Sequence, residues 1–190
     1  MYKMCKSEQS ALRQREMEQK LLKMMETVRF DEITVSDLCT QSGYSRKAFY
    51  RYFSGKEGAL YALIDHTLWE LESIPFVEQE DDAANREKMC LFFRFWKNQK
   101  PLLDALEYSN INEILVKRMV LYCTSDVGFM RRFLTCTDSE EQEYAITYGI
   151  SGIIAVILRW HNTGFRQSPE QMADMVLNLM ASSMIRIEDD

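Results

Sequence analysis

Residues 34–53 read Thr34-Val35-Ser36-Asp37-Leu38-Cys39-Thr40-Gln41-Ser42-Gly43-Tyr44-Ser45-Arg46-Lys47-Ala48-Phe49-Tyr50-Arg51-Tyr52-Phe53. Thr34 suits a helix N-cap, and Asp37 places an acidic group in the first turn. Val35 to Gln41 is therefore expected as a short helix. Ser42 to Ser45 make a turn in which Gly43 supplies the left-handed backbone of a tight corner. Ser45 caps a second short helix, Arg46 to Phe53. Val35, Leu38, Cys39, Tyr44, Phe49 and Phe53 have the spacing to bury one face, and Phe49 and Phe53, four apart, share it. Arg46, Lys47, Ala48, Tyr50, Arg51 and Tyr52 then point elsewhere. Two short helices locked around a glycine turn form the helix-turn-helix pattern.

The residue types left facing outward suit a polyanion. Arg46 and Lys47 match guanine acceptors in a major groove, and Ala48 matches a thymine methyl. Tyr50, Tyr52 and Lys56 suit phosphates, which fix register rather than sequence.

Outward from this stretch the pattern stays helical. Leu12, Met17, Leu21, Leu22, Met24, Met25 and Val28 recur at helical spacing and predict a helix over about 8–28. Glu57 to Glu72 reads as an amphipathic helix carrying Leu60, Leu63, Ile64, Leu68 and Leu71. Ile74-Pro75 and the acidic run Glu78 to Asp82 read as a joint. Further helices are expected near 84–98, 101–108, 110–123 and 126–135, then over 139–162 and 168–187. Ser168-Pro169 opens the last one as N-cap and first helical residue. No strand alternation appears, so the fold class is all-α.

Composition narrows the function. With 190 residues, 46% hydrophobic and 27% charged, the chain is an ordinary globular protein rather than a disordered one. The net charge of −6 divides unevenly, because residues 1–56 hold 11 Lys and Arg against 7 Asp and Glu. A basic head on an acidic body implies that only the head approaches a polyanion. Five widely spaced cysteines, Cys5, Cys39, Cys90, Cys123 and Cys136, form no disulfide or zinc pattern and fit reduced thiols in the cytoplasm. The opening segment lacks the apolar run of a secretory signal, and Ile150 to Leu158 is too short to span a membrane. Two histidines, His66 and His161, leave no metal ligand set, so no metal and no cofactor is expected. No catalytic fingerprint is present, so the chain is not read as an enzyme.

The run from Ile33 to Cys39 and from Ser42 to Leu60 resembles the DNA-binding domain of TetR-family transcriptional regulators. Thr34, Gly43, Ser45, Tyr50, Phe53, Lys56 and Glu57 stand where that pattern has Thr, Gly, Ser, Tyr, Phe and the Lys-Glu pair. Tyr52 stands where His is usual, Cys39 where a small residue is common, and Lys47 and Ala48 depart from the frequent residues. Tyr148 through Trp160, then Gly164 and Ser168-Pro169-Glu170, resemble a C-terminal domain of some Gram-positive members.

The resemblance implies a helix-turn-helix domain over 1–56, a connecting fourth helix over 57–72, and a helical effector and dimerisation domain over 73–190. DNA contacts would fall to Thr34, Ser45, Arg46, Lys47, Ala48, Tyr50, Arg51, Tyr52 and Lys56. The last two long helices would pair across a two-fold axis through Gly149, Ile153, Val156, Ile157, Trp160, Met172, Met175, Val176 and Leu179. Phe92, Phe93, Trp96, Tyr108, Tyr122, Phe129 and Tyr144 are the candidate lining of an effector pocket, with plain core packing as the alternative. The expected activity is that of a cytoplasmic homodimer, a repressor released from a pseudo-palindromic double-stranded operator by a small molecule, with no membrane partner. The alternatives are an activator of the same fold working through a protein partner, and a helical small-molecule-binding protein without a DNA role.

Overall fold

The computed structural model describes residues 1–3, 7–74, 81–124 and 139–181. Among them nine helices occur: α1 (Glu8–Met25), α2 (Val35–Ser42), α3 (Arg46–Tyr52), α4 (Lys56–Glu72), α5 (Asp82–Asn98), α6 (Lys100–Tyr108), α7 (Asn112–Thr124), α8 (Ser139–Asn162) and α9 (Pro169–Ala181). The extended backbone pairing among the described residues is a single antiparallel bridge between Tyr2 and Phe53. The fold is all-α.

Local chemistry sets the helix ends. Thr34 and Asp37 form a reciprocal capping box on α2: the Asp37 amide donates to Thr34 Oγ1 at 3.1 Å, and the Thr34 amide donates to Asp37 Oδ2 at 3.1 Å. Gly43 stops α2 at φ 73°, a conformation that favours glycine. Ser45 accepts from the Ala48 amide at the start of α3, and Asp81 from the Ala84 amide at the start of α5. The α9 terminus has its own reciprocal pair, Ser168 with Gln171.

Some helix boundaries differ from the sequence expectation, two of them for a visible reason. Helix α1 ends at Met25 instead of near 28, because the chain turns there to bring Phe30 and Ile33 under the head. Helix α5 starts at Asp82, where the Asp81 side chain caps it. The acidic joint and the helix expected over 126–135 fall largely outside the described residues, as does the end expected for α9.

Helix α4 departs most from expectation. It is not amphipathic. Every residue from Gly58 to Leu68 except Tyr61 is buried. The head (Met17, Leu21, Met25, Leu38, Phe49, Phe53) packs on one side of it, and the body, through Leu115 and Met119 of α7, on the other. In the body α5 packs on α9 and α7 on α8, around Phe93, Trp96, Trp160 and Ile154. The Phe93 and Trp160 rings meet edge to face at 5.5 Å. Ion pairs brace the outside of the α5–α9 seam, Arg86 with Asp174 and Arg94 with Glu170, both at 2.6 Å. The Arg94 guanidinium holds the Glu170 carboxyl down at about 2.

Helix α4 carries buried polar groups, and each finds a partner. Asp65 receives a bidentate Arg118 from α7 and the Tyr2 hydroxyl at 2.7 Å. Thr67 donates back to the Leu63 carbonyl at 2.9 Å. His66 Nδ1 lies 2.7 Å from Glu18 Oε2, and Arg15 stands 3.7 Å from the same oxygen. The other Glu18 oxygen is buried without a hydrogen bond. His66 therefore has a carboxylate partner in Glu18.

Burial raises the Glu18 carboxyl above its ordinary 4.5, against the opposing pull of His66 and Arg15. A group raised on folding stabilises fully below its unfolded value, and that share is lost as pH climbs through the raised value. Glu18→Gln keeps an acceptor for His66 and removes the titration. Its stability relative to wild type should therefore rise as pH increases from 4.5 upward. Urea unfolding of both proteins over a pH series measures this, and a pH-independent difference would rule out the linkage.

Candidate nucleic-acid interface

The candidate surface is α3 and the turn before it. Phe49 and Phe53 are fully buried, their rings 5.0 Å apart, and anchor α3 to the head. Leu38 and Cys39 are buried beneath them, while Val35 and Tyr44 are half-buried. The Tyr44 hydroxyl donates to Glu16 of α1, which fixes the turn. On this frame Arg46, Lys47, Tyr50 and Arg51 are exposed and Ala48 is half-buried. Arg46 reaches Ser36 Oγ at 3.3 Å, tying its guanidinium to α2. Thr34 and Ser45 are exposed and act first as caps.

Two residues expected at the phosphates are placed otherwise. Tyr52 is 4% exposed, because the last turn of α3 rolls its ring into the head. The Lys56 ammonium donates to three backbone carbonyls, Phe30 at 2.7 Å, Asp31 at 2.9 Å and Ile33 at 2.8 Å. It also lies 4.9 Å from the centre of the Phe30 ring. All three Lys56 donors are thereby committed to the loop between α1 and α2. Sequence reading missed this because nothing in the spacing of Lys56 announces carbonyls 23 to 26 residues earlier.

Of the aromatic residues expected around one pocket, three meet in the body core, and Tyr108, Tyr122 and Tyr144 lie apart from them. Phe93 and Trp96 are fully buried in the body core, and Phe92 packs edge-on to both. Tyr108 and Tyr144 are exposed, and Tyr122 bonds Glu72 on α4. Phe129 lies outside the described residues. Two open depressions among the described residues lie away from this cluster, one of them against Tyr108. One of about 350 Å³ is lined by Met25, Glu26, Pro101, Asp104 and Tyr108, and one of about 210 Å³ by Tyr61, Ile114, Lys117, Arg118 and Leu121. His161, in the last turn of α8, pairs with Asp104 of α6 at 2.7 Å.

The expected dimer surface divides in two. Ile157, Trp160, Met172 and Val176 are buried inside the protomer and face its own core. Gly149, Met175 and Leu179 are exposed, and Ile153 and Val156 are half-buried. Tyr148, 82% exposed, and Met180, 74% exposed, stand on the same two helices. Periodicity finds an apolar helix, but not which of its faces the rest of the chain covers. The described cysteines Cys39, Cys90 and Cys123 are buried, and burial pushes the Cys123 thiol up to about 11. Thiols held this way are poor nucleophiles and poor redox sensors.

Comparison with known proteins places this geometry. Residues 22–63 match the model of bacterial regulatory proteins of the tetR family, and residues 92–182 match a transcriptional regulator C-terminal region of the same group. The HTH-type transcriptional regulator EthR of Mycolicibacterium smegmatis is 43% identical over 76 residues, which are 37% of this chain and 35% of that protein. The match therefore spans about a third of that relative. Solved structures share the fold along nearly the whole chain. A putative TetR-family regulator from Syntrophomonas wolfei superposes with a TM-score of 0.64 at 15% identity, over 94% of this chain and 99% of its own. A Listeria innocua protein gives 0.65 at 16% identity, over 95% and 96%. The dihydroxyacetone kinase operon activator DhaS gives 0.56 at 16% identity, over 90% and 95%. With its helix-turn-helix and its C-terminal region both matched, the chain belongs to the TetR family of transcriptional regulators.

Proposed function

We propose that this chain is a dimeric, ligand-responsive repressor that occupies a pseudo-palindromic DNA operator in a bacterial cytoplasm. The observation that carries this reading is a recognition helix fixed by buried Phe49 and Phe53, with Lys47, Tyr50 and Arg51 exposed. Lys47 and Arg51 have no partner among the described residues. Arg46 and Lys47, at the N-terminal end of α3, read guanine acceptors, and Ala48 meets a thymine methyl. Thr34, Ser45, Tyr50 and Arg51 hold phosphates and set register.

A seven-residue helix reads only a few base pairs, so useful affinity needs two heads on two half-sites. The surface that supports pairing is the outer face of α8 and α9, where Tyr144, Tyr148, Met175, Leu179 and Met180 are exposed together with Gly149 and Gly152. Both glycines have open space beside them, which suits close helix approach.

Effector control runs through α4. Helix α4 meets the body at Asp65–Arg118, and the loop after α1 meets α6 where the Phe30 amide donates to Ser109 Oγ at 3.0 Å. A ligand that shifts α6 or α7 would tilt the head through these two joints and change the separation of the recognition helices. Of the expected pocket residues, Trp96 has the clearest invitation to a ligand, since its indole N–H is buried without an acceptor. An effector bringing an acceptor there would recover the roughly 1–3 kcal/mol that such a group costs. The fold serves either sign of regulation, for DhaS is named an activator and AlkX of Dietzia a repressor. Transcription in vitro with and without the protein decides the sign.

Fluorescence anisotropy tests the reading, using DNA from upstream of the protein's own gene against a random duplex. Tight binding to the former that falls steeply with salt is the expected result. Arg46→Ala and Lys47→Ala should each erode discrimination by about 1–3 kcal/mol. Equal loss on both duplexes would remove their base-reading role. Tyr148→Glu with Leu179→Glu should yield a folded monomer in sedimentation equilibrium, and a persisting dimer would place the interface elsewhere.

A further inference from the structure

Residues 1–3 lie against the end of α3. Tyr2 bridges Phe53, the Lys3 amide donates to the Tyr52 carbonyl at 2.9 Å, and the Ser54 amide donates to the Met1 carbonyl at 3.0 Å. The Ser54 hydroxyl donates to the same carbonyl at 2.8 Å. Gly58 makes room for this, since a Cβ there would stand 2.4 Å from the Met1 carbonyl oxygen. Tyr2 turns inward, packs against His66 and donates to Asp65. Side chains alternate along extended backbone, and Lys3 accordingly turns outward and is exposed.

Its position relative to DNA follows from dimensions. Helix α3 has seven residues and rises about 10 Å, while the major groove is about 12 Å wide. With the N-terminal end of α3 at the bases, its C-terminal end stands at the groove's rim, where the phosphates run. That rim lacks the two groups that the sequence pattern offers it. Tyr52 is buried, and Lys56 is committed to three carbonyls. Among the described residues, Lys3 is the exposed cation whose backbone is hydrogen-bonded to this end of α3.

We propose that Lys3 is a phosphate-binding residue of the DNA interface, held in place by the Tyr2 clamp. The proposal rests on the DNA-binding reading of the head. Lys3 takes the backbone contact that Lys56 would otherwise make, and Tyr2 is the positioning residue that keeps it at the rim. The contact is to the sugar-phosphate chain, so it adds affinity without sequence preference.

The test is anisotropy of the full chain on a labelled mixed-sequence duplex across a potassium chloride series. Removing one phosphate partner flattens the plot of log K against log salt by about 0.9, so Lys3→Gln should flatten it by about that much per protomer. Tyr2→Ala should remove most of the same increment, and the double variant should lose little more than either alone. Lys56→Gln should keep the wild-type slope but lower the melting temperature, because three carbonyls lose their donor. A slope unchanged in Lys3→Gln overturns the proposal, as does a slope that flattens in Lys56→Gln instead. A wild-type protein with no salt-dependent binding overturns the DNA reading of the head itself, and the proposal with it. Lys3 is exposed, so circular dichroism of Lys3→Gln should match wild type and show that the weaker binding does not come from unfolding.

Discussion

Helix α4 is buried along nearly its whole middle, and that constraint organises the molecule. A helix apolar on every side has no stable place at a surface, so it must be enclosed. Neither the three helices of the head nor the body helices suffice alone. The head covers one flank with Met17, Leu21 and Phe49, and the body covers the other with Leu115 and Met119. Two functional halves are thereby made into neighbours through a shared core element rather than a loose linker. Any change in the packing of α7 is felt on α4, and any tilt of α4 moves the frame on which α3 is mounted.

The polar residues within this enclosure make the joint specific. A buried carboxylate such as Asp65 is tolerated only with its partners in place, and here Arg118 arrives from the body and Tyr2 from the segment ahead of α1. Such pairs add little net stability compared with apolar packing, but removing one partner costs about 3–5 kcal/mol because the other is left charged and dry. Asp65 therefore penalises arrangements in which α7 or the Tyr2 segment has left α4. Glu18 and His66 do the same between α1 and α4, less completely, since one Glu18 oxygen stays without a hydrogen bond. In the proposed repressor these two pairs are the places where a displaced helix would first incur a cost.

What the sequence made legible was local. The Thr34–Asp37 box, the Gly43 turn, the Ser45 cap and the Ser168-Pro169 start are short-range hydrogen-bonding and backbone effects, and they fell where their residues said. The family pattern carried the same region further. What stayed hidden was long-range. Lys56 looks like a free cation beside a recognition helix until the chain returns three carbonyls to it. Tyr52 looks like an outward residue until the last turn of α3 closes. Leu60 and Leu63 suggest one apolar face on α4, but Ala59, Ala62, Asp65 and His66 are buried as well, because head and body both close on it. The apolar stretch of α8 was evident, yet only the packing of α5, α7 and α9 decides that Ile157 and Trp160 face inward and Tyr148 outward.

The charge distribution then takes on a definite meaning. The head's surplus of cations is small, and the structure withdraws Lys56 from it and ties Arg46 partly to Ser36. A protein of net charge −6 with few free cations at its tip among the described residues gains little from general attraction to DNA. Each phosphate contact that remains carries a larger share of the affinity, and each depends on a defined backbone placement rather than on a cloud of lysines. Placement is what α4 controls in the proposed mechanism. A highly basic head would stay on DNA through a modest tilt, whereas a sparsely charged one would let go when two half-sites can no longer be met together. In the proposed repressor, low positive charge on the head and deep burial of the helix behind it are two requirements of one responsive switch.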